Sequence, residues 1–390
     1  MEIQFADRMQ LFKEGIFTTL NNIKKQRMKE GKVCYDLSVG TPDFLPAPHV
    51  MEALTKASLD PENYKYAISD RDELISAVQD WYQRRYQVTL EKDEIISLYG
   101  SQEGLSRIGM VLCNPGDIVL TPNPGYPIFS MGPMLNDAKI VHYDLKAEND
   151  YLIDFDAIDP ALAKAAKAMV VSYPANPICR LAPKSFYEDL IAFAKKYNII
   201  ILHDNAYSEI VYDGNEGFSF LAIEGAKEVG IEFNSLSKGY NLTGARISFA
   251  IGNRDIIQQF QKLRSQIDYG IFLPVQAAAI AALTGPQDMV AKNRAEYQSR
   301  RDALCNGLAN IGWEGVRSEG TMFAWGPLPK GYTNSEQFVL ELIEKSGVFC
   351  VPGSVFGPLG EGYVRFALVK PVDEMKKLVQ SIADSGMIQK

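Results

Sequence analysis

Lys238 stands in the run Ser235-Leu236-Ser237-Lys238-Gly239-Tyr240-Asn241-Leu242-Thr243-Gly244-Ala245-Arg246, which gathers an amine, hydroxyls, glycines and a guanidinium. Most lysines are solvated surface amines, and that is the plain reading here too. The company argues for more. Small neighbours and a cation at Arg246 can lower the amine's pKa, freeing its lone pair to attack a carbonyl. Ser235, Ser237 and the planar fork of Arg246 have the donors to grip a phosphate.

These groups need a rigid mount. The run follows Ile231-Glu232-Phe233-Asn234 and precedes Ile247-Ser248-Phe249-Ala250-Ile251, two apolar stretches that read as strands. Lys238 therefore sits in a strand-to-strand connection at a sheet end. From Pro48 onward helix and strand patterns alternate, as in a parallel sheet wrapped by helices. Apolar runs at 118–120, 139–142, 169–173 and 199–202 supply the strands, and in such sheets ligands bind beyond the strands' carboxyl ends. A helix is expected from about Phe5 to Lys29, and another running from about Pro274 through Arg301 and Leu304. Short strands follow at 321–325, 348–351 and 363–367, with a helix at 335–345 between the first two.

Several further residues stand at such ends. Gly100-Ser101-Gln102-Glu103-Gly104 precedes an apolar helix beginning at Leu105, and a glycine turn opening a helix offers free N–H groups to an anion or is simply an N-cap. Tyr126, in Pro124-Gly125-Tyr126-Pro127, either packs on its loop or presents its ring to a ligand. Asn176-Pro177 is an ordinary turn starter. Asp204 ends four apolar residues, so its carboxylate needs either a helix N–H to cap or a cationic partner. A protonated pyridine nitrogen would serve, because the anion keeps that ring cationic and electron-withdrawing. Arg365 lies in an apolar strand and calls for an anion, either a structural acid or a substrate carboxylate. A carbonyl-attacking lysine beside a phosphate grip points to pyridoxal phosphate.

The pattern S-x-S-K-x-x-x-x-x-G-x-R at 235–246 resembles the cofactor-lysine motif of the class I/II aminotransferases, pyridoxal-phosphate enzymes of fold type I. The resemblance extends from Gly40 to Arg365, with its landmarks in order. It implies an α/β fold, with a mainly parallel seven-stranded sheet in a large domain (46–285), a smaller α+β domain (286–390), and an N-terminal arm (1–45) joining the latter. It makes Lys238 the attachment point, as an internal aldimine, and groups Asp204 and Tyr207 with it as catalytic. Ser101, Gln102, Ser235, Ser237 and Arg246 fall on the phosphate, Tyr126 on the ring face, and Asn176 and Tyr207 on the 3′-oxygen. Gly40, Asn176 and Arg365 are assigned to substrate. Tyr66, in Tyr64-Lys65-Tyr66, matches a tyrosine that reaches the neighbouring subunit's phosphate, with Tyr64 as the alternative. Two departures stand out: Ile178-Cys179 replaces the family's Thr-Gly after Asn-Pro, and Asp70 falls near a usual glycine.

The implied reaction moves an amino group between an L-amino acid and a 2-oxo acid such as 2-oxoglutarate. The run Val351 to Gly357 and the Gly-Ser-Gln-Glu-Gly turn resemble the aspartate and LL-diaminopimelate branches, with alanine also open as donor. Lys24, Lys65 and Arg71 are candidate cations for a second substrate carboxylate. A β-eliminating C–S lyase and a non-catalytic cofactor-binding sensor module are the rival readings. A net charge of −8 over 390 residues disfavours nucleic acid and anionic membranes. Five scattered cysteines without a C-x-x-C pair indicate neither disulfides nor a metal site, which fits the cytoplasm. The segment before Gly15, with Glu2, Asp7, Arg8 and Lys13, does not read as a signal peptide. A homodimer sharing its active sites is the expected assembly.

Overall fold

Continuous apolar runs need both faces covered, and this decides the architecture. In the computed structural model, which describes residues 1, 3–12 and 15–388, helices pack on both sides of a seven-stranded sheet. The strands in chain order are β1 (Tyr35–Asp36), β2 (Ile95–Leu98), β3 (Ile118–Asn123), β4 (Lys139–Asp144), β5 (Ala166–Ser172), β6 (Ile200–Asp204), β7 (Gly230–Ser235), β8 (Ser248–Gly252), β9 (Phe323–Pro327), β10 (Val348–Phe349), β11 (Val351–Pro352) and β12 (Tyr363–Ala367). The main sheet has the order β2-β8-β7-β6-β5-β3-β4, parallel except for β8. Successive residues of β5 serve opposite faces: Ala168 and Val170 join one apolar cluster, Met169 and Val171 the other. The outer strand β4 instead carries Lys139, His142 and Asp144 and is largely accessible, which protects an open edge.

Two smaller sheets lie outside this one. β12 pairs antiparallel with β9 and β11, placing Arg365 opposite both Trp325 and Val351. β1 pairs in parallel with β10, so a segment near the start of the chain is stitched to its last quarter. Arg300, on the helix Asp288–Asn310, holds Asp43 in a two-pronged ion pair at 2.6 and 3.0 Å, fixing the loop after β1.

Three helix boundaries differ from the sequence reading. The helix expected from about Phe5 is an α-helix over Ile16–Lys29, preceded by a 3-10 turn at Asp7–Leu11; Gly15, in extended conformation, starts it, and Lys13 and Glu14, like Glu2, lie outside the described residues. The helix expected from about Pro274 is two, Leu273–Thr284 and Asp288–Asn310, because Gly285-Pro286 interrupts it. The helix expected at Leu105 begins at Ser101, which places Ser101 and Gln102 in its first turn. Among the described residues no helix is long and apolar enough to cross a membrane.

Among the polar side chains that the sheet buries completely is a carboxylate that the strand pattern hides. Glu232 on β7 accepts from Tyr82 Oη (2.8 Å), Ser219 Oγ (2.9 Å) and the Phe220 N–H (3.1 Å), and meets His203 Nδ1 at 3.1 Å. Glu232→Ala strands all four partners inside the protein and is expected to cost about 3–5 kcal/mol of stability, as loss of one member of a buried charged cluster does. Urea unfolding of the cofactor-saturated protein measures it, with Glu232→Gln expected to lose less.

Candidate active site

β6 and β7 end side by side, and their last residues begin the site. Asp204 closes β6 and Ser235 closes β7, after which a single helical turn, Leu236–Gly239, carries Lys238. Ser235 Oγ caps that turn by accepting the Ser237 N–H at 3.1 Å, and Thr243 Oγ1 donates to the Ser237 carbonyl at 3.0 Å. Arg246 takes a left-handed conformation with φ 55° and anchors Nη1 on the Thr243 carbonyl at 2.9 Å. Its guanidinium then meets Gly100, where a Cβ would lie 2.2 Å from Nη2. Only a glycine, here at φ 93°, lets the helix Ser101–Leu112 start directly against that cation. First-turn N–H groups, serine hydroxyls and a guanidinium thus converge at one end of the cleft.

At the other end the charges are buried. Asp204 is 6 % exposed and its Oδ1 has no partner. Burial pushes its carboxyl up to about 6, against the pull of neighbouring His203. Lys238 Nζ donates to the Gly40 carbonyl at 2.7 Å; burial, then Arg365 and Arg246, bring its pKa down to about 8. Tyr207 is buried, which raises its phenol, and Tyr126 Oη donates to Gln102 Oε1 at 3.3 Å. Arg365, 3 % exposed, donates to Asn176 Oδ1 (2.8 Å) and the Ser38 carbonyl (3.4 Å), while its Nε has no partner. Among the described residues no carboxylate pairs with it.

A phosphorylated pyridine fits both ends: an anion for the Gly100–Arg246 cradle, and a ring cation for the orphaned oxygen of Asp204. Gly40, Ser101, Gln102, Tyr126, Asn176, Asp204, Tyr207, Ser235, Ser237, Lys238, Arg246 and Arg365, all expected from the sequence, line one cleft of about 310 Å³. Tyr66 does not. It is 81 % exposed with its ring against Tyr269, and Tyr64 likewise faces solvent beside Phe272. The three candidate second-carboxylate cations are absent from the cleft as well, because each has a local partner: Lys24 pairs with Asp36, Lys65 with Glu62, and Arg71 donates to Asn63.

The Ile178-Cys179 departure leaves the turn closed. Cys179 adopts φ 59°, its N–H donates to the Ala175 carbonyl at 2.7 Å, and the Ala175 N–H donates to the Arg180 carbonyl at 3.0 Å. Cysteine here occupies a backbone conformation that glycine enters more readily. Sequence reasoning missed Ser38, Ala206, Thr243 and Phe323 as lining residues. Thr243 lay within the opening motif; nothing about Phe323, one apolar residue of a strand, marks it out.

The family model described as aminotransferase class I and II matches residues 32–382. The LL-diaminopimelate aminotransferase of Halothermothrix orenii is 41% identical over 384 residues, covering 98% of each chain. That of Moorella thermoacetica is 40% identical, covering 97% of this chain and 98% of its own. Among solved structures, substrate-bound BacF from Bacillus subtilis superposes with a TM-score of 0.94 at 35% identity, covering 98% of both chains. A Thermus thermophilus aspartate aminotransferase mutant reaches 0.92 at 25% identity, over 98% of this chain and all of its own.

The depressed amine gives a pH test on the cofactor-free protein. A lysine whose folded pKa lies near 8 is mostly charged below that pH and mostly neutral above it. Acylation of Lys238, followed by mass spectrometry, is expected to rise and level off as pH passes through about 8, while surface lysines still accelerate toward pH 10. A Lys238 profile that follows the surface lysines contradicts the assignment.

Proposed function

Because the chain belongs to the class I and II aminotransferases, and is a pyridoxal-phosphate enzyme of fold type I, we propose that it moves the amino group of an L-amino acid of the diaminopimelate type to a 2-oxo acid such as 2-oxoglutarate. The observation that carries this reading is the buried Arg365, which has no acid partner among the described residues and shares the cleft with a depressed lysine and an orphaned aspartate. The diaminopimelate preference rests on the relatives named above, at 40 and 41% identity over nearly the whole chain.

Pyridoxal phosphate, when bound, supplies a carbonyl for the amino group and a ring that takes up charge from Cα. The chain's part is to hold and to move protons. Ser101, Gln102, Ser235, Ser237 and Arg246 would hold the phosphate, and Asp204 would keep the ring nitrogen protonated. Tyr207 and Asn176 would bind the 3′-oxygen, with Tyr126 against the ring face. Arg365 clamps the substrate's α-carboxylate, helped by the Gly40 loop and by Asn176. Lys238 Nζ, neutral in a useful fraction near pH 8, takes the Cα proton and holds it for return. Lys238→Ala is expected to keep the fold and lower turnover by at least about 10²–10⁴, the usual yield of a placed acid–base group. Borohydride followed by peptide mapping identifies the attached lysine. A panel of donors without acceptor, including LL-diaminopimelate, aspartate and alanine, is expected to leave the cofactor fully aminated and to yield one 2-oxo acid per site. Catalytic release of pyruvate, ammonia and a thiol from cystathionine, with no aminated cofactor, would instead establish the lyase.

The enzyme works, on this reading, as a cytoplasmic homodimer, with residues 46–285 as the large domain and 286–390 plus the N-terminal arm as the small one. Five unpaired cysteines are in keeping with a reducing compartment. Tyr64, Tyr66, Ile68, Ile267, Tyr269 and Phe272 are exposed, with Tyr64 on Phe272 and Tyr66 on Tyr269, an apolar surface of the kind that a second copy covers. Tyr66 has no place in its own cleft, which supports a role in the partner's. Mixing Lys238→Ala with Tyr66→Asp protomers is expected to restore activity in the heterodimer, since a shared site reassembles one native Tyr66 beside one native Lys238. Self-contained subunits would show no recovery.

A further inference from the structure

Arg365 poses a problem that its assigned role does not answer: a buried guanidinium normally needs a counter-ion, yet a carboxylate on it would compete with the substrate. The structure offers aromatic faces instead. Arg365 Cζ lies 3.9 Å from the ring centre of Phe323 and 4.7 Å from that of Phe356. Both rings are almost wholly buried, at 3 and 4 % exposure. The face of an aromatic ring attracts a cation without consuming any of its N–H donors, and does so more strongly where water is excluded. We propose that Phe323 and Phe356 are positioning residues for Arg365, standing in for a counter-carboxylate so that the guanidinium stays charged, ordered and free to bind the substrate's.

The backbone around each ring is built to hold it there. Phe323 follows Thr321, a β-branched residue at φ 74°, where such side chains are seldom found. Four contacts keep Thr321 in place. Its N–H donates to the Ile210 carbonyl (2.7 Å), its carbonyl accepts from Tyr212 Oη (2.5 Å), and its Oγ1 donates to Cys179 Sγ (3.4 Å) and accepts the Phe323 N–H (3.1 Å). Strain maintained by this many partners belongs to a site whose geometry matters. The far edge of the Phe323 ring abuts Gly40, where a Cβ would stand 2.3 Å from Cζ, so the same ring seats the loop whose carbonyl meets Lys238. The Phe356 carbonyl accepts the Gly125 N–H at 2.8 Å, tying the second ring to the turn that presents Tyr126. Cys179 thus acquires a part: where the family has glycine, its sulfur braces the turn that aims Phe323.

The proposal rests on reading Arg365 as the carboxylate clamp, and the test separates the two. The probe is 2-oxoglutarate, titrated calorimetrically into pyridoxal-loaded enzyme without amino donor, so that no turnover occurs. Phe323→Leu and Phe356→Leu are each expected to weaken it roughly tenfold, about what a desolvated cation–π contact is worth. The KM for 2-oxoglutarate should rise by a similar factor, with kcat little changed. Pentafluorophenylalanine at 356 keeps a ring but reverses its face charge, and should behave like leucine. Arg365→Lys should weaken binding too, and combined with Phe323→Leu should cost less than the sum. If Arg365→Lys is impaired while both leucine variants and the fluorinated ring bind as wild type, the aromatic proposal falls and the clamp stands. If Arg365→Lys binds as wild type, both fall. Should Phe323→Leu fail to fold, the two changes at 356 decide.

Discussion

A buried carboxylate with one oxygen unpaired among the described residues sits at the end of β6, and much of the site follows from it. Asp204 is buried, its Oδ1 unpaired, its carboxyl pushed up to about 6. Such a group is tolerable only where a cation arrives to complete it. Arg365, opposite in charge and buried as well, has no carboxylate partner among the described residues. The two do not satisfy each other. Lys238 lies in the field of both, its pKa brought down by burial and then by the guanidinium, and partly held up by the carboxylate. Asp204 and Arg365 are thus two buried groups of opposite charge, each with a polar atom left unpartnered among the described residues.

Keeping such groups apart requires a stiff support. The sheet provides it, since β6 beyond Ile200 and all of β7 are buried, parallel and in register, with Asp204 opposite Phe233. Helix entry is equally constrained: Gly100 permits the first turn of Ser101–Leu112 to approach Arg246 as no other residue would. The Glu232 cluster, one residue back along the sheet from the site, adds directional hydrogen bonds where apolar packing alone would allow sliding.

Much of this was legible in the sequence because the chemistry is local. The motif around Lys238 is a contiguous run, and Asp204 announces itself as a charge at the end of an apolar strand. Arg365 is conspicuous for the same reason. What could not be read were relations across the chain. Phe323 and Phe356 look like core residues anywhere, and only the approach of β9 and β12 and the 353–356 turn makes them neighbours of a cation. Glu232 was masked by its strand, since a period-based reading counts the apolar residues and passes over the polar one. Lys24, Lys65 and Arg71 were open as ligands because spacing alone does not reveal their pairing with Asp36, Glu62 and Asn63, even where, as for Lys65 and Glu62, the partners are near neighbours in sequence. Helix starts shifted where a single glycine or proline outweighed an apolar spacing.

The pairing of β1 with β10 has a bearing on how the chain is made. The Tyr35 N–H donates to Gly347, the Leu37 N–H to Phe349, and the Ala367 N–H back to Leu37. On a ribosome, which releases the chain from its amino end, residues 35–37 must wait for more than three hundred others before their partners emerge. The loop bearing Ser38 and Gly40 waits with them. A nascent chain can close its central sheet early, but the wall of the cleft that carries Ser38 and Gly40 is assembled last, and contacts so distant in sequence are slow to find. The cleft is therefore complete only once the last quarter of the chain has been made.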